Sequence, residues 1–314
     1  MSVSIRWIGA CPDFVGEVTG VDLSEPARRQ DIEALETGMD RFGVLVFRKQ
    51  TLNDSQQVQF SRNFGPLEQN RATNIKMHYS LHRRISAYLH RTDKLARLRQ
   101  KFGRPTHDPS ARFTQSISNM NGDRDTLPRD HPQRLFQLRN QLWHSDSSFK
   151  LTPAKYSLLY ARTVPEKGGD TEFADMRAAY DTLDDESKAL VAELMCQHSE
   201  IYSRDALGFE DFHAQDRAQW GIPVSQPLVR RHPVTGRYSL FLSSHAGAIV
   251  GWPNPEARLL LRDLNDHATQ PKFVYTHRWQ RGDLVMWDNR VTMHRGRPYH
   301  YTQVRDLRRT AIAG

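Results

Sequence analysis

The segment Trp143-His144-Ser145-Asp146-Ser147 constrains the fold of this chain more than any other stretch of the sequence. Alternate residues of an extended segment point to the same side, so His144 and Asp146 can face one centre while Ser145 points away. Two imidazoles and one carboxylate are the ligands of the facial triad that holds a ferrous ion and leaves coordination positions open. The fold must therefore bring a distant histidine to this pair, and the segment predicts a metal-dependent oxidation.

Length and composition describe an ordinary globular chain. Its 314 residues suit one large domain or two small ones, and we expect a single domain over 1–314. No apolar run approaches the roughly 18 residues of a membrane helix, and the N-terminus lacks the features of a secretory signal. Cys11 and Cys196 are the only cysteines, which suits a reducing compartment better than a disulfide framework. We therefore expect a cytoplasmic protein with no membrane partner.

The basic residues are unevenly distributed in a chain whose formal net charge is +8. Residues 80–112 carry nine lysines and arginines against two aspartates. Such a cluster could bind nucleic acid or attract an acidic substrate. It contains only two aromatic residues other than histidine, too few for a platform on which bases stack. We therefore favour a solvated basic insertion or lid at about 68–135, with a helix around 81–102, over a nucleic-acid-binding protein.

Apolar periodicity separates the extended segments from the helical ones. Short strands are expected within 3–23 and at 44–48, 156–164, 171–174, 238–242, 272–279, 283–287 and 304–313. Helices are expected at 24–41, 53–64, 175–183, 185–197 and 255–266, with a loop-rich stretch at 198–235. Ser24 is the expected cap of the first helix.

The strands dominate the segments that carry the candidate ligands, and the helices cluster elsewhere. This arrangement favours a mainly β fold with flanking helices, a distorted jelly-roll. A doubly wound parallel sheet is disfavoured because strands and helices do not alternate regularly and no glycine-rich phosphate loop is present.

Two histidines compete for the third ligand position. His294 follows the apolar segment Asp283-Leu-Val-Met-Trp-Asp288, a strand that would deliver its end to a buried centre. His245 lies in Ser243-Ser-His-Ala-Gly247 and is the rival ligand. Most of the remaining histidines lie in polar segments, where a solvated side chain is the commoner state.

Two arginines near the C-terminus favour His294. Arg305 follows it by eleven residues and Arg309 by fifteen, and residues four apart share a face of an extended strand. Guanidinium groups pair with carboxylates in a bidentate way and stay charged at any working pH. The pair therefore predicts a site that binds two carboxylates. A zinc-dependent hydrolase, the alternative for the same metal ligands, would leave the two arginines without a role.

Four motifs occur in order along the chain: Trp143-His-Ser-Asp146, Gly168-Gly-Asp-Thr-Glu-Phe173, Trp287-Asp-Asn-Arg290 with His294-Arg-Gly296, and the segment Arg305–Gly314. Together they resemble the taurine and (2,4-dichlorophenoxy)acetate dioxygenase family, most closely its phenoxyacetate branch. The resemblance implies a double-stranded β-helix and an oxygenase that uses Fe(II), α-ketoglutarate and O2.

The resemblance also implies a role for each matching residue. It assigns iron ligation to His144, Asp146 and His294, α-ketoglutarate binding to Arg305 and Thr171, acidic-substrate binding to Arg309, a pocket position to Asn140 and an aromatic place beside the iron to Trp287.

The substrate is expected to be a small carboxylate, most simply an aryloxyalkanoate whose ether bond breaks after hydroxylation. The segment 68–135 is longer and more basic than the family pattern, and family members build part of the substrate pocket there. Hydroxylation or desaturation of a natural-product acid or of a sulfonate therefore stays open, as does assembly into a homo-oligomer.

Overall fold

A computed structural model of the chain describes residues 2–69, 109–121, 125–209 and 222–314. Its strands are β1 (Ser4–Ile8), β2 (Val15–Thr19), β3 (Val44–Phe47), β4 (Gln115–Ser118), β5 (Ala154–Thr163), β6 (Thr171–Asp175), β7 (Met195–His198), β8 (Val224–Pro227), β9 (Val229–Arg231), β10 (Tyr238–Leu240), β11 (Ala246–Ile249), β12 (Val274–His277), β13 (Leu284–Asp288), β14 (Thr292–Gly296) and β15 (Asp306–Ala313). Its α-helices are α1 (Arg29–Phe42), α2 (Asp54–Ser61), α3 (Pro132–Gln137), α4 (Met176–Asp181), α5 (Asp185–Val191), α6 (Glu200–Asp205) and α7 (Asn254–Ala268).

A seven-stranded sheet in the order β1-β2-β3-β13-β5-β15-β4 forms the main layer. Side chains alternate across a strand, and this alternation gives the sheet two apolar faces. On β13, Val285 and Trp287 enter one core cluster, while Leu284 and Met286 enter another. The register is therefore strongly specified, because a slip of one residue would exchange the two faces.

A three-stranded sheet, β12-β6-β14, lies opposite the first face. Phe173 of β6 packs there with Val285 and Trp287, so the two sheets enclose a common core. The second face of the main sheet is covered by α1 and α2, through residues such as Leu35 and Phe60. Two facing sheets with helices packed outside confirm the predicted jelly-roll.

The outer side of the smaller sheet is covered by α4 and α7. Ala174 of β6 and Met293 of β14 share a core cluster with Met176 of α4 and Leu261 of α7. The outward-facing side chain Met293 of the ligand-bearing strand β14 is therefore buried beneath these helices. In the described part of the chain, no helix is both long enough and apolar enough to span a lipid bilayer.

The first helix begins later than predicted. Ser24 was expected to cap it, but the Ser24 amide and hydroxyl both donate to Asp22 Oδ1, at 2.9 and 2.7 Å. The serine oxygen is thus used in a local turn. The helix starts five residues on, at Arg29, and ends where Gly43 adopts a left-handed conformation.

Predictions after residue 185 and within the basic insertion need correction. The helix expected over 185–197 ends at Val191. The end of the predicted helix instead belongs to strand β7, which pairs with β8 and β11. The stretch 198–235 contains α6, β8 and β9. The insertion contributes β4, which pairs with β15, and α3. The helix predicted at 81–102 lies outside the described residues.

Candidate metal centre and its pocket

His144 and His294 are joined through their backbones. His144 N donates to His294 O at 3.0 Å, and His294 N donates to His144 O at 2.8 Å. This isolated antiparallel bridge links the segment before β5 to the middle of β14. Two residues that lie 150 positions apart in sequence thereby place their rings side by side, with centroids 4.2 Å apart.

The three side chains of the predicted triad converge on one point. His144 Nε2 lies 3.9 Å from Asp146 Oδ1, and His294 Nε2 lies 3.8 Å from Asp146 Oδ2. One ligand atom from each of the three buried residues can be chosen so that all three atoms lie within 4.8 Å of one another, as one cation requires. His245 is not in this cluster. It lies in the adjoining pocket, with its ring 4.8 Å from that of Phe149.

The protonation states fit a metal ligand set. His144 Nδ1 lies 2.7 Å from the Leu142 carbonyl, which can only accept, so Nδ1 carries the proton and Nε2 offers its lone pair. Burial lowers the pKa of both His144 and His294, so both rings are neutral, as a ligand must be. The His294 ring packs against two aromatic rings. Its centroid lies 4.6 Å from the ring centroid of Trp287 and 6.1 Å from that of Phe173.

Asp146 is held by contacts to one of its oxygens. Oδ2 accepts from Ser157 Oγ at 2.7 Å and forms an ion pair with Arg309 Nη2 at 3.0 Å. Oδ1 is thus the oxygen available to a cation. Burial raises the pKa of Asp146, but the positive charge of Arg309 and the hydrogen bond from Ser157 act against burial, and the pKa lies far below its usual value. The carboxylate is ionised, and its orientation is set.

A chain of hydrogen bonds supports this orientation from the strand behind it. Asn289 donates to Ser157 Oγ at 3.0 Å and accepts from the Asp146 amide at 3.2 Å and from Trp287 Nε1 at 3.0 Å. The two serines that follow Asp146 in the sequence do not support its carboxylate. The Ser147 hydroxyl donates to Glu68, and Ser148 Oγ has no hydrogen-bond partner among the described residues.

Arg305 and Thr171 both line the cavity that contains the triad. Arg305 is buried, its Nε donates to Gly169 O at 3.2 Å, and burial lowers its pKa. Thr171 Oγ1 accepts from Trp279 Nε1 at 2.9 Å. Because this oxygen already accepts, its own hydrogen remains to donate, and the pair presents donors suited to a carboxylate.

Arg309 stands on β15, nearer to the triad. Its Nη1 donates to Gln115 Oε1 at 2.8 Å, and its Nη2 contacts Asp146. Both Nε and Nη2 are buried; among the described residues Nε has no hydrogen-bond partner, and the contact of Nη2 with Asp146 is an ion pair that lacks hydrogen-bond geometry. Buried donors without partners are costly, so an acceptor belongs there. The Nε–Nη edge of a guanidinium matches a carboxylate in a bidentate way.

The cavity has a volume of about 170 Å³ and contains all the predicted site residues on its walls: His144, Asp146, His294, Thr171, Arg305, Arg309, Asn140 and Trp287. Sequence reasoning missed further polar residues of its lining, among them Gln115, Arg139 and Glu200. The first two lie in or next to a segment that was read as an irregular insertion, and Glu200 lies in a stretch read as a loop. No local pattern marked them.

The comparisons with known proteins agree with this geometry. The chain is 41% identical to the α-ketoglutarate-dependent 2,4-dichlorophenoxyacetate dioxygenase of Burkholderia sp. (strain RASC), over 100% of this chain and 95% of that protein. It is 34% identical to the (S)-phenoxypropionate/α-ketoglutarate-dioxygenase of Sphingobium herbicidovorans, over 96% of this chain and 92% of that protein.

A solved structure shares the whole architecture. The crystal structure of AAD-2 in complex with Mn(II) and N-oxalylglycine is 45% identical, with a TM-score of 0.83, and the match covers 100% of this chain and 98% of that one. Residues 8–311 match the taurine catabolism dioxygenase TauD, TfdA family as a unit. With a His-Asp-His cluster at the mouth of a jelly-roll and these full-length relatives, the chain belongs to the TauD, TfdA family of dioxygenases.

Proposed function

We propose that the chain is an Fe(II)- and α-ketoglutarate-dependent dioxygenase that oxidises a small aryloxyalkanoate. The observation that carries the proposal is one cavity whose lining contains a buried His-Asp-His cluster and the guanidinium groups of Arg305 and Arg309. The relatives named for dichlorophenoxyacetate and phenoxypropionate support the substrate class.

The triad fits Fe(II), and its residues would hold the ion through His144 Nε2, His294 Nε2 and Asp146 Oδ1. When bound, Fe(II) supplies the oxidation: O2 converts α-ketoglutarate to succinate and CO2 and delivers one oxygen atom to a substrate C–H bond. Hydroxylation of the carbon beside an ether oxygen makes a hemiacetal, which collapses to a phenol and an oxo acid.

The side chains of the cavity position the two acids. Arg305 and Thr171 would bind the distal carboxylate of α-ketoglutarate. Arg309 would bind the substrate carboxylate through Nε, which has no hydrogen-bond partner among the described residues, and through Nη2, which also pairs with Asp146, and this places the adjacent carbon near the triad. This is catalysis by positioning, since the reacting bond is held at a fixed place beside the metal. The Trp287 and Phe173 rings exclude water from the His294 side.

The test is an anaerobic titration of the purified protein with Fe(II) and α-ketoglutarate, followed by succinate measurement in air. The acids compared are an aryloxyacetate, an alkyl sulfonate and a terpenoid carboxylic acid. We expect the chelate absorption band to appear and the aryloxyacetate to release the most succinate. Preference for the sulfonate or for the terpenoid acid would overturn the substrate class.

His144→Ala and Asp146→Ala should lose the absorption band and both coupled and uncoupled turnover, because each variant leaves two protein ligands. His267→Ala is the matched control, since His267 lies on α7 and does not line the cavity. Normal succinate release by either ligand variant would contradict the iron assignment.

A further inference from the structure

Arg139 is a further guanidinium in the active-site cavity, and the proposed reaction gives it no task. It belongs to the short 3-10 turn Leu138–Gln141, directly before the metal motif, and lines the cavity beside Asn140. Its guanidinium carbon lies 4.0 Å from the centroid of the Phe136 ring. The side chain is 22% exposed, so part of it faces the cavity.

The contacts of Arg139 leave most of its donors unused. Within the described residues, its one side-chain hydrogen bond runs from Nη1 to Glu200 Oε1, at 3.0 Å. A guanidinium has five N–H donors in a fixed fork, so the pair with Glu200 does not saturate it. Glu200 also accepts from Arg204, so Arg139 shares this carboxylate with a second cation.

Arg139 lies among other charged groups. Burial lowers its pKa to about 10, the nearby charges of Arg204 and Arg309 act in the same direction, and Glu200 opposes them. A largely buried cation that shares its counter-charge with a second cation favours an anion nearby.

We propose that Arg139, with Glu200 as its positioning partner, forms a second anion subsite for the substrate. The ligand class is an aryloxyalkanoate that carries a further carboxylate or sulfonate on its ring, while its alkanoate carboxylate binds Arg309. This inference rests on the proposed function, and it narrows the substrate class from aryloxyalkanoates with one acidic group to those with two. The competing interpretation is an ion pair that only closes the cavity wall.

The experiment compares phenoxyacetate with its 3-carboxy and 4-carboxy derivatives. Affinities are measured by calorimetry on the anaerobic Fe(II)/α-ketoglutarate protein, and turnover is measured as succinate release in air. Arg139→Gln removes the charge, and Arg139→Lys keeps it without the fork. Arg297→Gln is the matched control, because Arg297 also lines the cavity and also pairs with a carboxylate, that of Glu172 at 3.6 Å, so the comparison separates Arg139 from any other cavity cation.

We expect the wild-type protein to bind at least one carboxylated derivative about tenfold more tightly than phenoxyacetate, as one charge-assisted pair would give. Arg139→Gln should abolish this preference without weakening phenoxyacetate, Arg139→Lys should retain part of it, and Arg297→Gln should retain all of it. Equal weakening of all three acids in Arg139→Gln, or a wild-type protein without the preference, would overturn the subsite.

The two proposals fail in different ways. Turnover of phenoxyacetate without any Arg139-dependent preference leaves the dioxygenase assignment standing and removes the subsite. If binding shows an Arg139-dependent preference but no aryloxyacetate is turned over, the subsite stands and the dioxygenase assignment is removed. Should Arg139→Gln not fold, as shown by loss of the chelate absorption band, the comparison of wild type with Arg139→Lys still measures the preference.

Discussion

The two oxygens of Asp146 have separate tasks. Oδ2 is held by Ser157 and Arg309, and Oδ1 is left for the cation. The contact with Arg309 also joins the proposed substrate arginine to the metal ligand. Binding of an acid at Arg309 would therefore change the electrostatic environment of the metal ligand Asp146. The guanidinium would then divide its positive charge between two carboxylates, that of Asp146 and that of the acid.

Arg305→Ala and Arg309→Ala should weaken different acids. Loss of Arg305 should weaken α-ketoglutarate, and loss of Arg309 should weaken the aryloxyacetate, by about 2–5 kcal/mol each for a buried charge-assisted pair. Arg309→Ala should also weaken iron, because Asp146 loses its neighbouring charge. Anaerobic absorption titrations measure iron and α-ketoglutarate, and calorimetry measures the aryloxyacetate. The opposite pattern of losses would mean that the two roles are exchanged.

Strand β5 brings a supporting side chain to the metal centre from the opposite direction to the motif. Ser157 follows Tyr156 and precedes Leu158, which both point to the helix-covered face, so alternation turns its hydroxyl toward Asp146. Asn289, just beyond β13, completes the support. The apolar pattern of a strand thus also determines where its single polar residue acts.

Ser157→Ala should lower Fe(II) affinity by about ten- to a hundredfold, the usual effect of losing an outer hydrogen bond to a ligand. Affinity for α-ketoglutarate at saturating iron should stay unchanged, because Arg305 and Thr171 are untouched. Anaerobic Fe(II) calorimetry gives the measurement. Ser239→Ala is the control, since Ser239 is also buried and donates to a backbone carbonyl. Equal iron affinity in both variants would show that Ser157 has no part in orienting Asp146.

At the scale of the whole molecule, neutral histidines buried in the core link folding to pH. His198 on β7 is fully buried, packs 5.5 Å from Phe241, and has no partner for either ring nitrogen among the described residues. Burial lowers its pKa from 6.5 to about 3. Between these values the unfolded chain binds a proton at this residue that the folded chain does not, so stability falls as pH falls.

His198→Phe should flatten the acid side of the stability profile. The variant loses one titrating group, so its free energy of unfolding should fall less steeply than that of the wild type from about pH 6.5 downward, by at most about 1.4 kcal/mol per pH unit. Above about pH 7.5 the two profiles should run parallel. Denaturant unfolding at several pH values gives the curves, with the exposed His300→Ala as control. Parallel curves down to pH 4 would contradict the role assigned to His198.

Much of the fold was predictable because local rules produce it. Alternation along β3, β5 and β13 reflects the pleat of a strand, and the spacing of His144 and Asp146 reflects an extended backbone. The helix predicted over 185–197 failed beyond Val191, because strand pairing with β8 and β11 overrode local preference.

The sequence by itself determined the jelly-roll pattern, the His-x-Asp pair, the arginine pair and the family, since each depends on residues close together or on motifs in a fixed order. Only the tertiary structure decided between His294 and His245, placed Ser157 behind Asp146, and joined Arg139 to Glu200 across 61 positions. These contacts depend on strand register and on loop paths. Neither strand register nor loop path can be read from a short stretch of sequence, because the packing of distant segments determines which partner a polar side chain meets.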